Sequence, residues 1–189
     1  MRLISIILLS SLSLLLAGCL TDYKLYRINH TTAYSVHNFS YYNQNNDLRT
    51  IIYGNPTKAS KAELEVAITN AMQGRNAFGK TNFTTTPNDS DDLRTKFVIQ
   101  FNPDISKTAH DLCIKEMPPP FEKQRADKIT MIMAYCMNNR YLAYIFGETA
   151  QPATPNDPAF LEMIGDAVQN LIPIYDPNRG SECRNSLNC

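Results

Sequence analysis

The sequence predicts an α+β fold: a mostly antiparallel sheet of about five strands with two helices packed on it. Three observations carry that prediction. Residues 60–73 and 157–172 place apolar side chains at helical spacing. Two nearly continuous apolar runs, 129–137 and 141–146, meet at Asn138-Asn139, as a hairpin of central strands covered on both faces would. Shorter β-branched or alternating runs lie between the two helical segments. The order is strand, helix, strand, strand, hairpin, helix, which suits segregated α+β layers better than a strictly alternating parallel sheet.

In chain order, residues 20–46 are polar and aromatic, with Tyr23, Tyr26, Tyr34, Tyr41 and Tyr42 set among Asn, Thr and Ser. No period persists there, so the segment reads as a tether with at most a short strand near Tyr34–Phe39. Its tyrosines also suit docking, since each joins apolar area to a hydroxyl. Leu48–Tyr53 is a strand ended by Gly54-Asn55-Pro56. Ser60-Lys61-Ala62-Glu63 is a capping box, with Ser60 satisfying an orphan amide and Glu63 reaching back. Leu64, Ile68, Ala71 and Met72 share one face of the helix that follows, and Gly74 stands where a left-handed residue would stop it.

Phe78–Thr86 carries Phe83-Thr84-Thr85-Thr86 ahead of Pro87 and reads as a strand. Lys96–Phe101 alternates, with Phe97, Ile99 and Phe101 facing one way, and ends at Asn102-Pro103. Residues 102–127, with Cys113 and Pro118-Pro119-Pro120, form an excursion too long for a bare connector. After the hairpin, Asp157 caps the last helix and Pro158 opens it. Its buried stripe is Phe160, Ile164, Ala167, Val168 and Leu171, and Pro173 ends it.

The N-terminus has a different logic. Arg2 precedes an apolar run, Leu3–Leu16, too short and too serine-rich to span a bilayer. A charged start, a short apolar core and small residues describe a secretory signal. Leu16-Ala17-Gly18-Cys19 at its end resembles the lipobox of bacterial lipoproteins. The resemblance implies a signal peptide over residues 1–18, removed before Cys19, whose thiol and freed amine become acylated. Two or more acyl chains hold a protein firmly on a membrane. Leu20 rather than Asp after the cysteine implies, within that family, sorting to the outer membrane, facing the periplasm.

Removal of residues 1–18 leaves 171 of the 189 residues, with residues 19–46 as lipid anchor and tether and 47–189 as a single periplasmic domain. Arg2 leaves with the signal, so 17 basic side chains face 18 acidic ones. That near-neutral balance, without a basic patch, excludes nucleic acid as an expected partner. Four of the five cysteines remain after Cys19: Cys113, Cys136, Cys183 and Cys189. An even count in an exported chain points to disulfides, with three possible connectivities. The expected pairs are Cys113–Cys136, which would tie down the long excursion, and Cys183–Cys189, which would close a short loop at the C-terminus. A metal site is not expected, because the cysteines form no C-x-x-C and no histidine lies at ligand spacing.

Several fragments resemble a group of small proteobacterial envelope proteins to which no activity attaches. They are Tyr53-Gly54-Asn55-Pro56, Ala71-Met72-Gln73-Gly74, Phe83-Thr84-Thr85-Thr86-Pro87, Phe101-Asn102-Pro103 and Leu112-Cys113, with Cys136 beyond. They span roughly residues 48–146. The resemblance supports the Cys113–Cys136 pair and carries over no catalytic residue; Cys183 and Cys189 lie outside it.

Few residues of the chain form a pattern that carries chemistry. His30, His37 and His110 fit no metal or general-base motif, and a disulfide would remove the Cys113 thiol near His110 as a nucleophile. Asp89, Asp91 and Asp92 read as a solvated acidic turn rather than a Ca²⁺ loop. No nucleophile elbow or phosphate-cradling glycine loop is present. The expectation is therefore a protein without catalytic residues, cofactor or metal. It would be an outer-membrane lipoprotein held by acyl chains on Cys19, docking on other envelope proteins as an accessory or assembly subunit. Residues 20–46 and 102–127 are its expected contact surfaces. The alternative is a small-ligand-binding lipoprotein with a pocket between sheet and helices.

Overall fold

A computed structural model describes residues 22–88, 94–104, 109–114 and 127–177. The fold is α+β. It has six strands, β1 (Tyr23–His30), β2 (Asp47–Tyr53), β3 (Asn82–Thr84), β4 (Thr95–Phe101), β5 (Lys128–Met137) and β6 (Arg140–Ala150). Four helices accompany them: α1 (Val36–Asn43), α2 (Lys61–Met72), α3 (Ala109–Ile114) and α4 (Pro158–Leu171). The sheet runs β1-β6-β5-β4-β2-β3 and is mixed. β2 pairs in parallel with both β3 and β4, while β4, β5, β6 and β1 pair antiparallel.

This corrects three expectations. The sheet has six strands rather than about five, with four helices rather than two. It is also less antiparallel than expected, because α2 carries the chain from the far end of β2 back to its start and so lays β3 alongside in the same direction. The segment read as a tether is not one over residues 23–43: Tyr23–His30 pairs with β6, and Val36–Asn43 is a helix. Tyr34, Val36 and Phe39 are buried in the main core, which gives these residues enough apolar burial to order them.

The elements with strong local signals form as read. Ser60 Oγ accepts from the Glu63 amide, Glu63 returns to the Ser60 amide at 2.9 Å, and Gly74 takes φ +68° after the helix. Asp157 caps α4 through the Phe160 amide, with Pro158 in the first turn. Asn138 and Asn139 adopt φ 48° and 63°, the left-handed pair a two-residue hairpin needs.

Residues alternate between two faces along each strand. Phe97, Ile99, Met131, Met133, Tyr135 and Ile145 face α1, α2 and α4 in the main core. Val98, Ile132, Ala134 and Cys136 face the opposite way, against α3. The sheet is thus covered on both sides at its centre, which explains the continuous apolar sequence of β5. The Cys113–Cys136 disulfide fastens α3 to this second face, with 5.7 Å between the Cα atoms. Cys19 and the Cys183–Cys189 pair lie outside the described residues, as do Asp89, Asp91, Asp92 and Pro118–Pro120.

One buried polar residue joins the layers. Asn43, at the end of α1, donates through Nδ2 to Phe39 O at 2.9 Å and to the Tyr135 hydroxyl at 3.1 Å. Its Oδ1 accepts from Thr95 Oγ1 at 2.6 Å, and its carbonyl accepts from Thr81 Oγ1 at 3.1 Å. A buried amide with its bonding capacity met is permissible in a core, and it fixes how α1 sits on the sheet.

Candidate functional site

Among the described residues, a single helix, α3, packs on the second face of the sheet. α3 is six residues long and lies over β5 and β6, with its apolar side on Val98, Ile132 and Ala134. Toward β1, the same face carries a row of rings. Tyr141 and Tyr144 meet edge to face at 5.5 Å, Tyr144 and Phe146 at 6.0 Å, and Tyr26 stacks on Phe146 at 5.8 Å.

A bulge builds the outer end of this row. Tyr26 pairs with Phe146 and Asn29 with Tyr144, so Arg27 and Ile28 together oppose Ile145. Arg27 takes the extra residue's strain at φ 52°, and its guanidinium lies 5.7 Å from the centre of the Phe146 ring. Bulges on edge strands re-aim side chains and end regular pairing. Here the bulge lets Tyr26 and Arg27 converge on one ring. Tyr26 stays 36 % exposed and Ile28 45 % exposed, although both are large and apolar. Partial burial and the Glu148 carboxylate hold the Tyr26 phenol above its ordinary value, so it stays a neutral hydroxyl at any physiological pH. Lys128 and Glu148 pair at 2.8 Å on the neighbouring strands.

The main core between sheet and helices holds fully buried Phe97, Met133, Phe160 and Met163. A cleft of about 540 Å³ opens at one rim, where the turn after α2 meets the end of α4. The topology puts it there. β2, β4 and β6 run the same way, α2 follows β2 and α4 follows β6, so both helices run back and end at the same rim. Arg75 joins them: its guanidinium reaches Asp166 at 3.5 Å and packs over Gly165, where a Cβ would lie 2.6 Å from Nε. Asp166 also accepts from the Tyr23 hydroxyl. Burial and that carboxylate push the Tyr23 phenol up to about 12. Asn76 lines the cleft; its Oδ1 accepts from the Phe78 amide at 3.1 Å, and its Nδ2 is buried with no hydrogen-bond partner among the described residues.

The three histidines stay apart. His30 ends β1 beside the same rim and stacks edge to face on Tyr34 at 4.7 Å. Its Nε2 contacts Leu171 O at 3.2 Å, and because a carbonyl can only accept, this nitrogen carries the proton. His37 is exposed on α1, and His110 lies on α3, whose neighbour Cys113 is bonded to Cys136. Among the described residues no group of three His, Cys, Asp or Glu side chains could hold a metal ion, and no helix is long and apolar enough to cross a membrane.

Sequence reasoning placed Tyr26 in a tether and residues 141–146 in a strand without joining the two, and it missed Arg75, Asn76 and Asp166 altogether. No protein-family model matches the chain, and no curated protein does. Among solved structures it is similar to a PelC dodecamer from Paraburkholderia phytofirmans in space group P6, at 10 % identity over 79 % of this chain and 96 % of that one, with a TM-score of 0.44. A single-substitution variant of that dodecamer in space group C2 gives the same identity and TM-score over 81 % of this chain and 99 % of the other. A likeness at that level carries no functional argument.

Proposed function

We propose that this chain is a non-catalytic lipoprotein of the outer membrane, held by acyl chains on Cys19, that docks on other cell-envelope proteins as an accessory or assembly subunit. The observation that carries the reading is the partly buried aromatic row on β1 and β6, exposed at its Tyr26 end, with Arg27 over the Phe146 ring. Tyr, Phe and Arg are enriched where proteins meet: the rings bring large contact area at a small entropic cost, and Arg adds a planar cation that stacks on them. Lys24 and Arg27 flank the row, so the matching surface is an apolar patch with an acidic rim.

Chain length narrows the partner. Tyr23 is already in the sheet, only four residues after Cys19, a span of at most about 14 Å. Lipid on Cys19 would keep β1 beside the headgroups, and the aromatic row with it. The partner that fits is a protein embedded in or attached to the same membrane.

The test is co-purification from detergent-solubilised membranes with wild type, Phe146→Asp and Cys19→Ala. Wild type retains defined partners. Phe146→Asp loses them while staying membrane-bound, and Cys19→Ala leaves the membrane fraction. Partners kept by Phe146→Asp at wild-type yield would refute the docking face; membrane retention of Cys19→Ala would refute the anchor.

A further inference from the structure

β1 is an edge strand, with β6 on one side and, among the described residues, no strand on the other. Lys24, Tyr26, Arg27, Ile28 and Asn29 are exposed along it. Neither Lys24 nor Arg27 makes an ion pair among the described residues. The bulge at Arg27 and Ile28 interrupts the backbone ladder, so a further strand would not pair along this edge. A surface that answers charge and apolar area without strand register suits it better.

Chain length says what lies in front of the edge. The Asp22 carbonyl accepts from Thr149 Oγ1 at 3.0 Å, so the chain is fixed to the sheet three residues after Cys19. That span is at most about 11 Å. Acyl chains on Cys19 would hold this corner of the domain among the headgroups. Two surfaces meet at the corner: the β1 edge and the rim where β2, β4 and β6 end. The described loops of that rim expose Asn55, Lys58, Thr154 and Asn156 and no large apolar side chain. The edge exposes two cations with Tyr26 and Ile28. Ile174 and Tyr175, also exposed, follow the end of α4, which His30 Nε2 joins to the end of β1 through Leu171 O.

From these we infer that the domain lies on its β1 edge against anionic phospholipid headgroups. This posture presupposes the proposed lipid anchor on Cys19. Lys24 and Arg27 meet headgroup phosphates, Ile28 enters the apolar boundary, and Tyr26 sits between, with its hydroxyl in water. The strands then run along the membrane with β1 lowest. Phe146 and Tyr144 stand one strand higher, where a partner embedded alongside can reach them. β3, at the opposite edge, lies five strand spacings away, about 24 Å.

The experiment places the mature chain in nanodiscs of phosphatidylethanolamine and phosphatidylglycerol containing a headgroup spin-labelled phosphatidylcholine, and reads broadening of backbone amide NMR signals. One sample carries the cell's own modification. A second, a Cys183→Ala/Cys189→Ala chain beginning at Cys19, is coupled through the Cys19 thiol to a maleimide phospholipid. The amides of Lys24 and Ile28 are expected to lose most of their intensity, and those of Asn55 and Asn82 little. A domain standing on the rim would instead broaden Asn55 and spare Ile28. That pattern, uniform broadening, or none in the coupled sample would each overturn the inference. Lys24→Glu/Arg27→Glu, two exposed changes, is expected to cut the Ile28 loss about twofold, as is replacing phosphatidylglycerol with phosphatidylcholine. An Ile28 loss that survives either change at full strength would also overturn it. An unmodified Cys19 in the first sample, seen by mass spectrometry, would refute the anchor and leave the coupled sample to decide the posture.

Discussion

Reducing the Cys113–Cys136 disulfide removes the one covalent tie between α3 and the sheet. The bond joins residues 23 apart in sequence. Opening a loop of that length returns about 3.4 kcal/mol of conformational freedom to the unfolded chain. With a denaturant slope of about 2 kcal/mol/M in urea, the midpoint should fall by roughly 1.7 M. Both sulfurs are fully buried, so reduction itself empties no volume, and the loss reads loop closure rather than a cavity. The assay is urea unfolding followed by far-UV circular dichroism with and without reductant, in a Cys183→Ala/Cys189→Ala background that removes the other expected pair. A drop below about 1 kcal/mol would refute the reasoning, because the second face would then hold α3 by packing alone.

Three further outcomes follow from the same geometry. Asn43→Ala should cost about 3 kcal/mol in urea unfolding, since it strands the buried Tyr135 hydroxyl and Thr95 Oγ1; a loss below 1 kcal/mol would show that the amide does not join α1 to the sheet. Ser60→Ala should cost about 1 kcal/mol. Hydrogen bonds from Ser60 hold the Glu63 carboxyl below its ordinary value, so that pair supports α2 at neutral pH and is lost as acid carries the solution down through the folded value. His30 is held below 6.5 by burial, opposed by the carbonyls of Leu171 and Asn170 and by the Asp176 charge, with Tyr34 on its ring face. The folded state therefore prefers neutral His30, and stability should decline as pH falls below about 6.5. His30→Gln should flatten that decline in melting temperatures measured from pH 5 to 7, and an unchanged slope would assign it elsewhere.

Much of the fold was legible because its signals are local. The capping box of α2, the Asp157-Pro158 start of α4 and the Asn138-Asn139 turn each depend on neighbours within four residues, and all three form as read. β1 and α1 were hidden for opposite reasons. β1 is an edge strand whose alternation breaks at the Arg27–Ile28 bulge, so no period of two persists. α1 puts a polar residue, Asn43, at a core position, and only the distant Tyr135 and Thr95 make that burial tolerable. The parallel pairing of β2 with β4 is decided by which strands share a core, across more than 40 residues of chain.

The candidate sites were less legible than the fold. Tyr26 and Phe146 become neighbours only through the register of β1 on β6. Arg75 and Asp166 meet only because two helices end at one rim. Neither juxtaposition leaves a motif in the sequence. The Cys113–Cys136 pair could be read because the four cysteines left after the expected anchor Cys19 allow only three connectivities.

The aromatic row is tested most directly by a photoreactive amino acid placed at position 26 or 144 of the full-length protein in intact cells. Val66, 59 % exposed on α2, serves as the control. The account predicts defined adducts with an outer-membrane protein from positions 26 and 144 and none from 66. Adducts absent from both β-sheet positions, or the same pattern from all three, would contradict it.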